Sequence, residues 1–384
     1  MYKVLFITSL DLSGASGGSV ATKSVIQAFS KRNDIDLTLM APEPSGSKVN
    51  LAALNLLAWE KLPQRVNRSV LWNIKISFLV WYKLRTILKL LKPDFVVVRY
   101  GFFFLPSILF FPSHSTRLCL LIRGRLSLNF QGIAGRIVDL IHRSVLLIPI
   151  GNKADKILLA FEAIKQLMPS RIPSKYIKVI PNGAEIDNFP MLSINLSRKL
   201  LADKKDIHLE GLVIGFVGGM QKRHQLHQLI YALAEHSING FSYSVLMVGD
   251  GPLKKEIEKL SLELGVSGNV YFTGAVPHGD IHIYISACNL LYGVVSQDEA
   301  SNPIKIYEYL ALGRKVVTSP TPEFQFIEKE KFGIFVKENT VSLIAQAIRD
   351  GFDLDWKEED EQKARKYIEK NHTWDMIPKE IIDT

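Results

Sequence analysis

Residues 301–313 read Ser-Asn-Pro-Ile-Lys-Ile-Tyr-Glu-Tyr-Leu-Ala-Leu-Gly, and this stretch predicts a helix that begins as an anion-binding site. Asn302 suits the N-cap and Pro303 the first helical position, so free backbone N–H groups and the positive end of the helix dipole gather there. Lys305 adds a full positive charge one turn further on, and Gly313 ends the helix. The pattern therefore predicts a helix whose N-terminus binds phosphate.

Glu308 follows Lys305 by three residues, so both lie on one face of this helix, within reach of a hydroxyl group beside the phosphate. The alternative is an ordinary amphipathic helix with a Lys–Glu pair on its surface. Strand-like segments at residues 289–295 and 315–319 flank the helix and favour the binding site. They place the helix start at the carboxyl end of a strand, where open α/β sheets bind ligands.

Strands and helices alternate along the whole chain, which predicts an α/β fold with two doubly wound parallel sheets. The strands predicted in the first half are residues 3–8, 36–40, 94–99, 117–122, 145–150 and 177–180. Those predicted in the second half are residues 212–217, 244–248, 269–273, 289–295, 315–318 and 333–336. The length of 384 residues allows two domains, each with its own core.

The predicted boundary between the domains follows residue 181. Pro181 and the pair Asn182-Gly183 both favour a reversal of the chain. The polar segment 182–208 that comes next lacks strong periodicity. The turn-forming stretch of residues 179–189, at the start of this segment, is the expected hinge.

Charge distinguishes the two halves of the chain, whose total net charge is +9. Residues 1–180 hold 25 Lys and Arg against 9 Asp and Glu, or +16, and the remainder holds 22 against 29, or −7. A basic half attracts nucleic acid or an anionic membrane, and composition alone leaves both open. The sequence has no RRM, KH or zinc-finger pattern, which disfavours nucleic acid.

The two cysteines, Cys119 and Cys288, belong to no CxxC or Cys/His cluster, which indicates a reducing compartment without disulfides or zinc. The N-terminus runs directly into a predicted strand without the features of a signal peptide. The most apolar run, residues 102–111, is well short of the ~20 residues that cross a bilayer. We expect a cytoplasmic protein without a transmembrane helix.

Residues 70–92 predict a basic amphipathic helix. Lys75, Arg85, Lys89 and Lys92 lie within roughly a third of its circumference, as in helices that lie on membranes. Four aromatic residues accompany them, namely Trp72, Phe78, Trp81 and Tyr82. The alternative is a domain helix whose basic side faces solvent. We expect the basic N-terminal domain to dock on an anionic membrane, at the inner face of the cell membrane.

Several motifs together resemble the retaining nucleotide-sugar glycosyltransferases of family 4, or group 1, which have the GT-B fold of two facing Rossmann-like domains. The resemblance covers nearly the whole chain. The motifs are Gly17-Gly18, Ile180-Pro-Asn-Gly183, Val217-Gly-Gly219, Val248-Gly-Asp-Gly-Pro252, Phe272-Thr-Gly274, Asn302-Pro-x-Lys-x-Tyr-Glu-Tyr-Leu-Ala-x-Gly313 and Thr373-Trp-Asp375.

The resemblance implies an acceptor-binding N-terminal domain of residues 1–181, with a C-terminal helix of about residues 358–384 that crosses back to it. Residues 182–357 would hold the nucleotide-sugar donor. The implied reaction is the retaining transfer of a sugar from a UDP- or GDP-sugar to a glycan or polyprenyl-linked acceptor in cell-surface polysaccharide synthesis. No metal or other cofactor is implied. A sugar-nucleotide epimerase and a catalytically weak nucleotide-sugar-binding subunit of the same fold are alternatives.

The paired-glutamate motif of the family is only half present. Glu308 matches its second glutamate, which implies contact with the donor ribose hydroxyls. The first glutamate position holds Ala300, with Glu299 beside it. The resemblance thus makes Glu299, Lys305 and Glu308 the candidate catalytic residues.

Family members with a Ser/Asn-Pro-x-Lys sequence use the helix N-terminus and the lysine to bind the diphosphate, which assigns Ser301, Asn302 and Lys305 to phosphate binding. In the loop after Val217, Gly219 and His224 occupy the positions of the usual arginine and lysine. Neighbouring cations are expected to supply the missing charge. The candidate donor-binding residues are Gly17, Gly18, Gly219, Lys222, Arg223, Ser301, Asn302, Lys305 and Glu308.

Two arginines at the ends of predicted strands of the N-terminal domain, Arg99 and Arg123, are the candidate acceptor-binding residues. The alternative for Arg123 is a turn exposed to solvent. The histidine that many relatives carry in this region has no obvious counterpart.

Overall fold

The computed structural model of the protein describes residues 1–14, 16–42, 55–59, 70–112, 115–124, 136–137, 140–187, 189–296 and 302–384. The chain divides into two compact units, one formed by Met1–Pro181 with Trp374–Thr384 and the other by Asn182–Thr373. The division after residue 181 coincides with the boundary expected from the turn-forming residues there.

The first unit contains a seven-stranded parallel sheet with the strand order β3-β2-β1-β4-β5-β6-β7. Its strands are β1 (Tyr2–Ile7), β2 (Ile35–Pro42), β3 (Asn55–Trp59), β4 (Phe95–Arg99), β5 (Arg117–Ile122), β6 (Lys156–Leu159) and β7 (Ile177–Val179). Central strands such as β4 are apolar without alternation, as expected where both faces of a parallel sheet are covered. The strand order reverses between β1 and β4, which makes the carboxyl ends of these two strands a topological switch point.

Helices connect the strands of the first unit. They are α1 (Gly17–Ser30), α2 (Val70–Leu91), α3 (Leu105–Leu109), α4 (Leu147–Lys153) and α5 (Glu162–Gln166), with a π-helical turn at His142–Leu146 before α4.

The strand predicted at residues 145–150 is wrong, because these residues belong to the π-helical turn and to α4. A continuous apolar run fits a buried helix as well as a buried strand, and periodicity alone does not separate the two. Leu147 and Ile150 are buried in the core of the first unit. The strand of this region, β6, begins only at Lys156, and β3 was not predicted.

The second unit contains a six-stranded parallel sheet with the order β10-β9-β8-β11-β12-β13, which reverses between β8 and β11. Its strands are β8 (Val213–Val217), β9 (Ser244–Val248), β10 (Val270–Gly274), β11 (Leu290–Gly293), β12 (Val316–Thr318) and β13 (Gly333–Phe335). Its helices are α6 (Ile194–Lys205), α7 (Leu226–Ile238), α8 (Lys254–Glu263), α9 (Ile281–Ser286), α10 (Ile304–Ala311), α11 (Gln325–Glu330), α12 (Val341–Asp353) and α13 (Glu358–Asn371). The six predicted strands of this half all form, with small shifts of their ends.

The C-terminal segment, expected to join the N-terminal domain from about residue 358, is instead divided between the two units. Helix α13 buries Ala364 and Ile368 in the core of the second unit, so residues 358–373 belong there. Only the last residues join the first unit, through α14 (Met376–Ile382), which packs against α1. Arg32 pairs with Asp383 at 2.7 Å in this contact.

Every helix in the described parts of the chain is too short or too polar to cross a membrane.

Candidate functional site

The loops at the carboxyl edge of the second sheet pack against one another where the strand order reverses. The N–H of Gly218, just after β8, donates to the carbonyl of Val248 at 2.9 Å. The Met220 N–H donates to the Asp250 carbonyl at 2.9 Å, and the Leu253 N–H donates back to Met220 at 3.2 Å. The glycine motifs after β8 and β9 therefore form one continuous floor beside the switch point.

This floor requires glycine at two positions. Gly218 and Gly249 have φ angles of +140° and +126°. A Cβ atom on Gly249 would lie 2.2 Å from the carbonyl oxygen of Gly218. Gly249 thus allows a backbone approach that no larger residue permits, and the positive φ of Gly218 also favours glycine.

Helix α10 begins at Ile304, one residue later than predicted. Pro303 occupies the N-cap position with an extended backbone (φ −69°, ψ 127°), so Asn302 lies before the cap and does not form it. The side-chain amide of Asn182 donates to the carbonyl of Asn302 at 2.6 Å and fixes the approach to the helix. Gly313, with φ +71°, follows the helix as expected.

Lys305 is buried in the first turn of α10, with a relative exposure of 8%. Its Nζ lies 3.8 Å from the centroid of the Phe216 ring, and no described residue accepts a hydrogen bond from it. Burial lowers the pKa of Lys305 well below its ordinary value, and the positive charge of Arg223 lowers it further, while Glu308 opposes the shift. The alternative of a Lys–Glu pair on the surface is wrong.

Glu308, one turn further along α10, is also buried, and its Oε1 accepts a hydrogen bond from Nε2 of His278 at 2.8 Å. His278 begins the 3-10 turn His278–Asp280 beyond β10. The sequence did not single out His278, because a histidine in a Pro-His-Gly turn carries no motif of its own.

The turn that carries Lys222 and Arg223 is held in place by β11 and by Ser296, three residues beyond the end of this strand. The hydroxyl of Tyr292 donates to the carbonyl of Gln225 at 3.0 Å, and the N–H of Ser296 donates to the carbonyl of Arg223 at 2.7 Å. The side chains of Lys222 and Arg223 are exposed, as is Gly219 earlier in the same loop. The positive charge of Arg223 contributes to lowering the pKa of Lys305.

His224 is buried in this turn against the ring of Phe216, with ring centroids 5.4 Å apart. Burial lowers its pKa far below the ordinary value, and the charges of Lys305 and Arg223 lower it further. The imidazole is therefore neutral in the folded protein.

We expect His224→Asn to make folding less sensitive to acid. The unfolded chain takes up a proton at this residue below its ordinary pKa of about 6.5, whereas the folded chain does not, so stability falls as the pH drops. The decrease in the free energy of unfolding due to His224 approaches about 1.4 kcal/mol for each pH unit below the ordinary histidine pKa. Urea unfolding of both proteins at pH 7.5 and 5.0 checks this, and parallel pH dependences would contradict it.

Tyr309 ties α10 to the end of β8. Its hydroxyl accepts a hydrogen bond from the N–H of Val217 at 2.8 Å and lies 3.3 Å from the carbonyl oxygen of the same residue. Burial raises the pKa of this phenol well above its usual value. Lys305 and Glu308 precede Tyr309 on the same helix by four residues and by one residue. The contact therefore fixes the start of the glycine floor relative to both side chains.

In the first unit, the predicted residues meet at the switch point between β1 and β4. Gly17 and Gly18 are the first residues of α1, whose N-cap Ser16 accepts a hydrogen bond from the Ser19 N–H at 3.2 Å. Arg99 donates to the hydroxyl of Thr22 at 2.7 Å, and its Nη2 lies 3.4 Å from where a Cβ on Gly18 would be. Burial lowers the pKa of Arg99 to about 10. Gly18 and Arg99, assigned separately to donor and acceptor, are thus neighbours.

The guanidinium of Arg123 donates hydrogen bonds to the backbone. Its Nη1 donates to the carbonyl of Ile180 at 2.8 Å, and its guanidinium lies 5.7 Å from the centroid of the Trp374 ring. The side chain therefore braces the last strand and the returning C-terminal segment of the first unit. Arg123 is partly buried and so does not belong to the solvent-exposed turn considered as the alternative, and its contact with an acceptor stays a prediction.

Two predicted site residues, Glu299 and Ser301, lie outside the described residues. Within the described ranges, no three His, Cys, Asp or Glu side chains are grouped as metal ligands would be. The metal-free reaction stays a prediction.

Comparison with known proteins agrees with the two-unit architecture. Residues 197–372 match the family model of glycosyl transferases group 1. A 2-deoxystreptamine glucosyltransferase of Streptomyces kanamyceticus is 29% identical over 118 residues, which are 30% of this chain and 30% of that protein. The matched segment thus spans less than a third of this curated relative.

Two solved structures resemble the chain over almost its full length. HepE of Anabaena, in complex with UDP and glucose, aligns with 100% of this chain and 99% of its own at a TM-score of 0.70 and 15% identity. WaaG, a glycosyltransferase involved in lipopolysaccharide biosynthesis, aligns with 99% of this chain and 100% of its own at a TM-score of 0.67 and 15% identity. At these identities the likeness shows the fold. The second unit of the chain thus matches the group 1 glycosyl transferases over residues 197–372, and the fold of the chain is GT-B.

Proposed function

We propose that the second unit binds a nucleoside diphosphate sugar, and that the protein transfers the sugar with retention to a glycan or polyprenyl-linked acceptor. One observation carries this proposal. The buried amino group of Lys305, with no described hydrogen-bond acceptor, lies at the start of α10 and at the carboxyl edge of a reversing parallel sheet. A diphosphate is an anion that this position suits, because the free N–H groups and the dipole of the helix start add to the lysine charge.

In this proposal the protein supplies charge and alignment. The bond between the anomeric carbon and the diphosphate oxygen breaks as the acceptor hydroxyl attacks the same face of the sugar, and the departing diphosphate accepts the hydroxyl proton. Lys305, Arg223 and the start of α10 stabilise the negative charge that develops on the leaving group. A bound diphosphate would raise the pKa of Lys305 and so favour its ammonium form, since an opposite charge nearby raises a lysine pKa.

The remaining residue assignments are part of the proposal. Glu308 would accept hydrogen bonds from the ribose hydroxyls. Lys222 and Asn302 would lie beside the diphosphate, and Gly219 would let the backbone approach it. The catalytic role of Glu299 and the phosphate contact of Ser301 rest on the resemblance alone.

The first unit would receive the acceptor. Gly17 and Gly18 open α1 beside Arg99, so two backbone N–H groups and a cation meet at one switch point. This combination suits a phosphate, either of the donor or of a polyprenyl-linked acceptor. The likeness of the fold to that of WaaG, a glycosyltransferase involved in lipopolysaccharide biosynthesis, supports a role in cell-surface polysaccharide synthesis.

The proposal is tested by a thermal-shift panel of UDP, GDP, ADP and their sugar derivatives, followed by measurement of nucleotide release with and without glycan acceptors. Stabilisation by UDP or GDP with acceptor-dependent release supports a transferase. Acceptor-independent release indicates an epimerase, and binding without any release indicates a catalytically weak subunit. Failure of every nucleotide to stabilise the protein would overturn the proposal.

We further propose that α2 lies on an anionic membrane surface. Large apolar side chains on this helix are exposed, whereas the small polar residues Asn73 and Ser77 are buried. The exposed apolar residues include Leu71, Phe78, Leu79, Tyr82 and Leu90, at 80%, 47%, 51%, 69% and 77%. The exposed cations are Lys75, Lys83, Arg85 and Lys89, and residues 70–91 contain no Asp or Glu.

A groove of about 260 Å³ lies between α2 and α3. It is lined by Trp81, Arg85, Ser107 and Phe110, among others. The Trp81 and Phe110 rings are 5.4 Å apart, and Phe110 is 58% exposed. Aromatic rings beside a cation suit the headgroup region of a bilayer. The basic surface matches anionic lipid, and the mixture of exposed apolar and basic groups matches helices that lie in the interface.

We expect the protein to sediment with phosphatidylglycerol vesicles at low salt and to stay in solution with phosphatidylcholine. The double variant Lys75→Glu/Lys89→Glu should bind at least about 20-fold more weakly, since each basic residue near an anionic surface contributes about 1 kcal/mol. The matched control is Lys255→Glu/Lys259→Glu on α8, which makes the same charge change on exposed lysines of the second unit. Equal sedimentation of both double variants would contradict the α2 surface.

A further inference from the structure

We infer that His278 is a positioning residue that orients Glu308 toward the hydroxyl groups of the bound nucleotide. The inference rests on the proposed nucleotide-sugar function. It concerns a residue to which neither the family resemblance nor the sequence motifs assign a role.

The hydrogen bond between His278 and Glu308 joins two separate elements at the carboxyl edge of the second sheet. His278 belongs to the turn after β10, and Glu308 belongs to α10, 30 residues further along the chain. Pro277 begins the turn, and its carbonyl accepts a hydrogen bond from the Asp280 N–H at 3.0 Å. The position of the imidazole is therefore set by the backbone of the turn.

A ring contact also holds the imidazole. Phe189 is buried, and its ring centroid lies 5.3 Å from that of His278. The ring of His282 stacks on Phe189 as well, at 6.2 Å and an interplanar angle of 26°. His282, however, forms its hydrogen bond with the carbonyl of Gly279, at 2.8 Å. Two histidines thus share one aromatic support, and only His278 reaches the carboxylate.

The two carboxylate oxygens of Glu308 have different surroundings, one bonded within the protein and the other available to a ligand. Oε1 accepts from His278, and Oε2 accepts no hydrogen bond from any described residue and is not sealed from solvent. A glutamate side chain has several rotamers. The hydrogen bond that His278 donates to Oε1 favours one of them, in which Oε2 stays available to a hydrogen-bond donor of the ligand. Such an oxygen suits a donor such as a sugar hydroxyl.

The hydrogen bond makes a specific prediction about ribose recognition. His278→Ala should lower the affinity for UDP, GDP or ADP, whichever binds the wild-type protein, by at least about 10-fold, the usual effect of losing one hydrogen bond to a charged group. The affinity for the 2′,3′-dideoxy analogue of the same nucleotide should change less than about twofold, because that ligand offers Glu308 no hydroxyl. His278→Gln, which keeps a donor, should recover part of the loss for the ribonucleotide.

Isothermal titration calorimetry of the full-length protein with both nucleotides measures these affinities. His282→Ala is the matched control, since it removes the same ring from Phe189 without touching Glu308, and it should leave the preference for ribose unchanged. Equal losses of affinity for the ribose and dideoxy ligands, or no loss for either, would overturn the inference while the proposed function stands. If the wild-type protein binds none of UDP, GDP and ADP, the inference and the proposed function are both overturned.

Discussion

Replacing Lys305 by methionine is expected to lower the rate of sugar transfer by about 10²- to 10³-fold and, in the same protein, to raise the thermal midpoint. The loss of rate is that seen when one preorganised group facing developing negative charge is removed. Methionine has nearly the volume of lysine and fills the same space beside Phe216. Activity and stability should therefore move in opposite directions.

The gain in stability follows from the surroundings of the amino group. Nζ is buried with no described hydrogen-bond acceptor, which costs about 1–3 kcal/mol, and its contact with the Phe216 ring offsets about 0.5–1 kcal/mol of that. A net gain of about 1 kcal/mol corresponds to a rise of about 2–4 °C for a unit of this size. Differential scanning calorimetry and a transfer assay on the same preparation check both halves of the prediction.

Lys315→Met is the matched control. Lys315 is as buried as Lys305, but its Nζ donates to the carbonyls of Phe352 and Leu354 at 3.0 and 2.7 Å. Its replacement leaves two carbonyls without their donor and should lower the thermal midpoint without removing a group from the proposed site. A fall in stability for Lys305→Met, or unchanged transfer, would contradict the proposed role of Lys305.

Gly249→Ala is expected to destabilise the second unit by about 3–5 kcal/mol and to abolish nucleotide binding. The added methyl group would lie 2.2 Å from the carbonyl oxygen of Gly218, and the φ of +126° is unfavourable for alanine, so overpacking and backbone strain add. Relief of the clash must move the loop after β8, which also contacts the Lys305 side chain. Urea unfolding and nucleotide titration measure the two effects.

The control for this glycine is Gly265→Ala. Gly265 also has a positive φ, +69°, but nothing lies within 4 Å of the position where its Cβ would be. Only the conformational cost of about 1–2 kcal/mol is expected there, with nucleotide binding intact. Similar losses for both variants would show that the close approach to Gly218 contributes nothing.

Most of the architecture was predictable from the sequence because its signals are local. Apolar runs of strand length alternate with helical segments, and the Pro181-Asn182-Gly183 turn predicts the division of the chain. The prediction failed where a local signal was ambiguous. The apolar run of residues 145–150 fits a buried strand as well as a buried helix. Nothing in the sequence of residues 358–373 indicates against which unit their apolar face packs.

For the candidate site, the sequence identified Lys305 and Glu308 as neighbours on one helix but did not reveal that both are buried. Burial matters here because it replaces a surface ion pair by a buried amino group without a described hydrogen-bond acceptor and a buried carboxylate that accepts a hydrogen bond from His278. Arg123 shows the reverse case. Its position at a strand end suggested a ligand contact, and the fold uses it to hold the backbone at Ile180.

The sequence alone determined the two alternating α/β halves, the division after residue 181, and the helix α10 with Lys305 and Glu308. The tertiary structure decided which groups surround that helix. Parallel strands bring their carboxyl ends to one edge, so Phe216, Arg223, Gly249 and His278, from 27 to 89 residues before Lys305, meet there. These residues recur at no regular interval along the chain, because the lengths of the intervening crossovers set their separations. No periodic sequence pattern could therefore have identified them as neighbours.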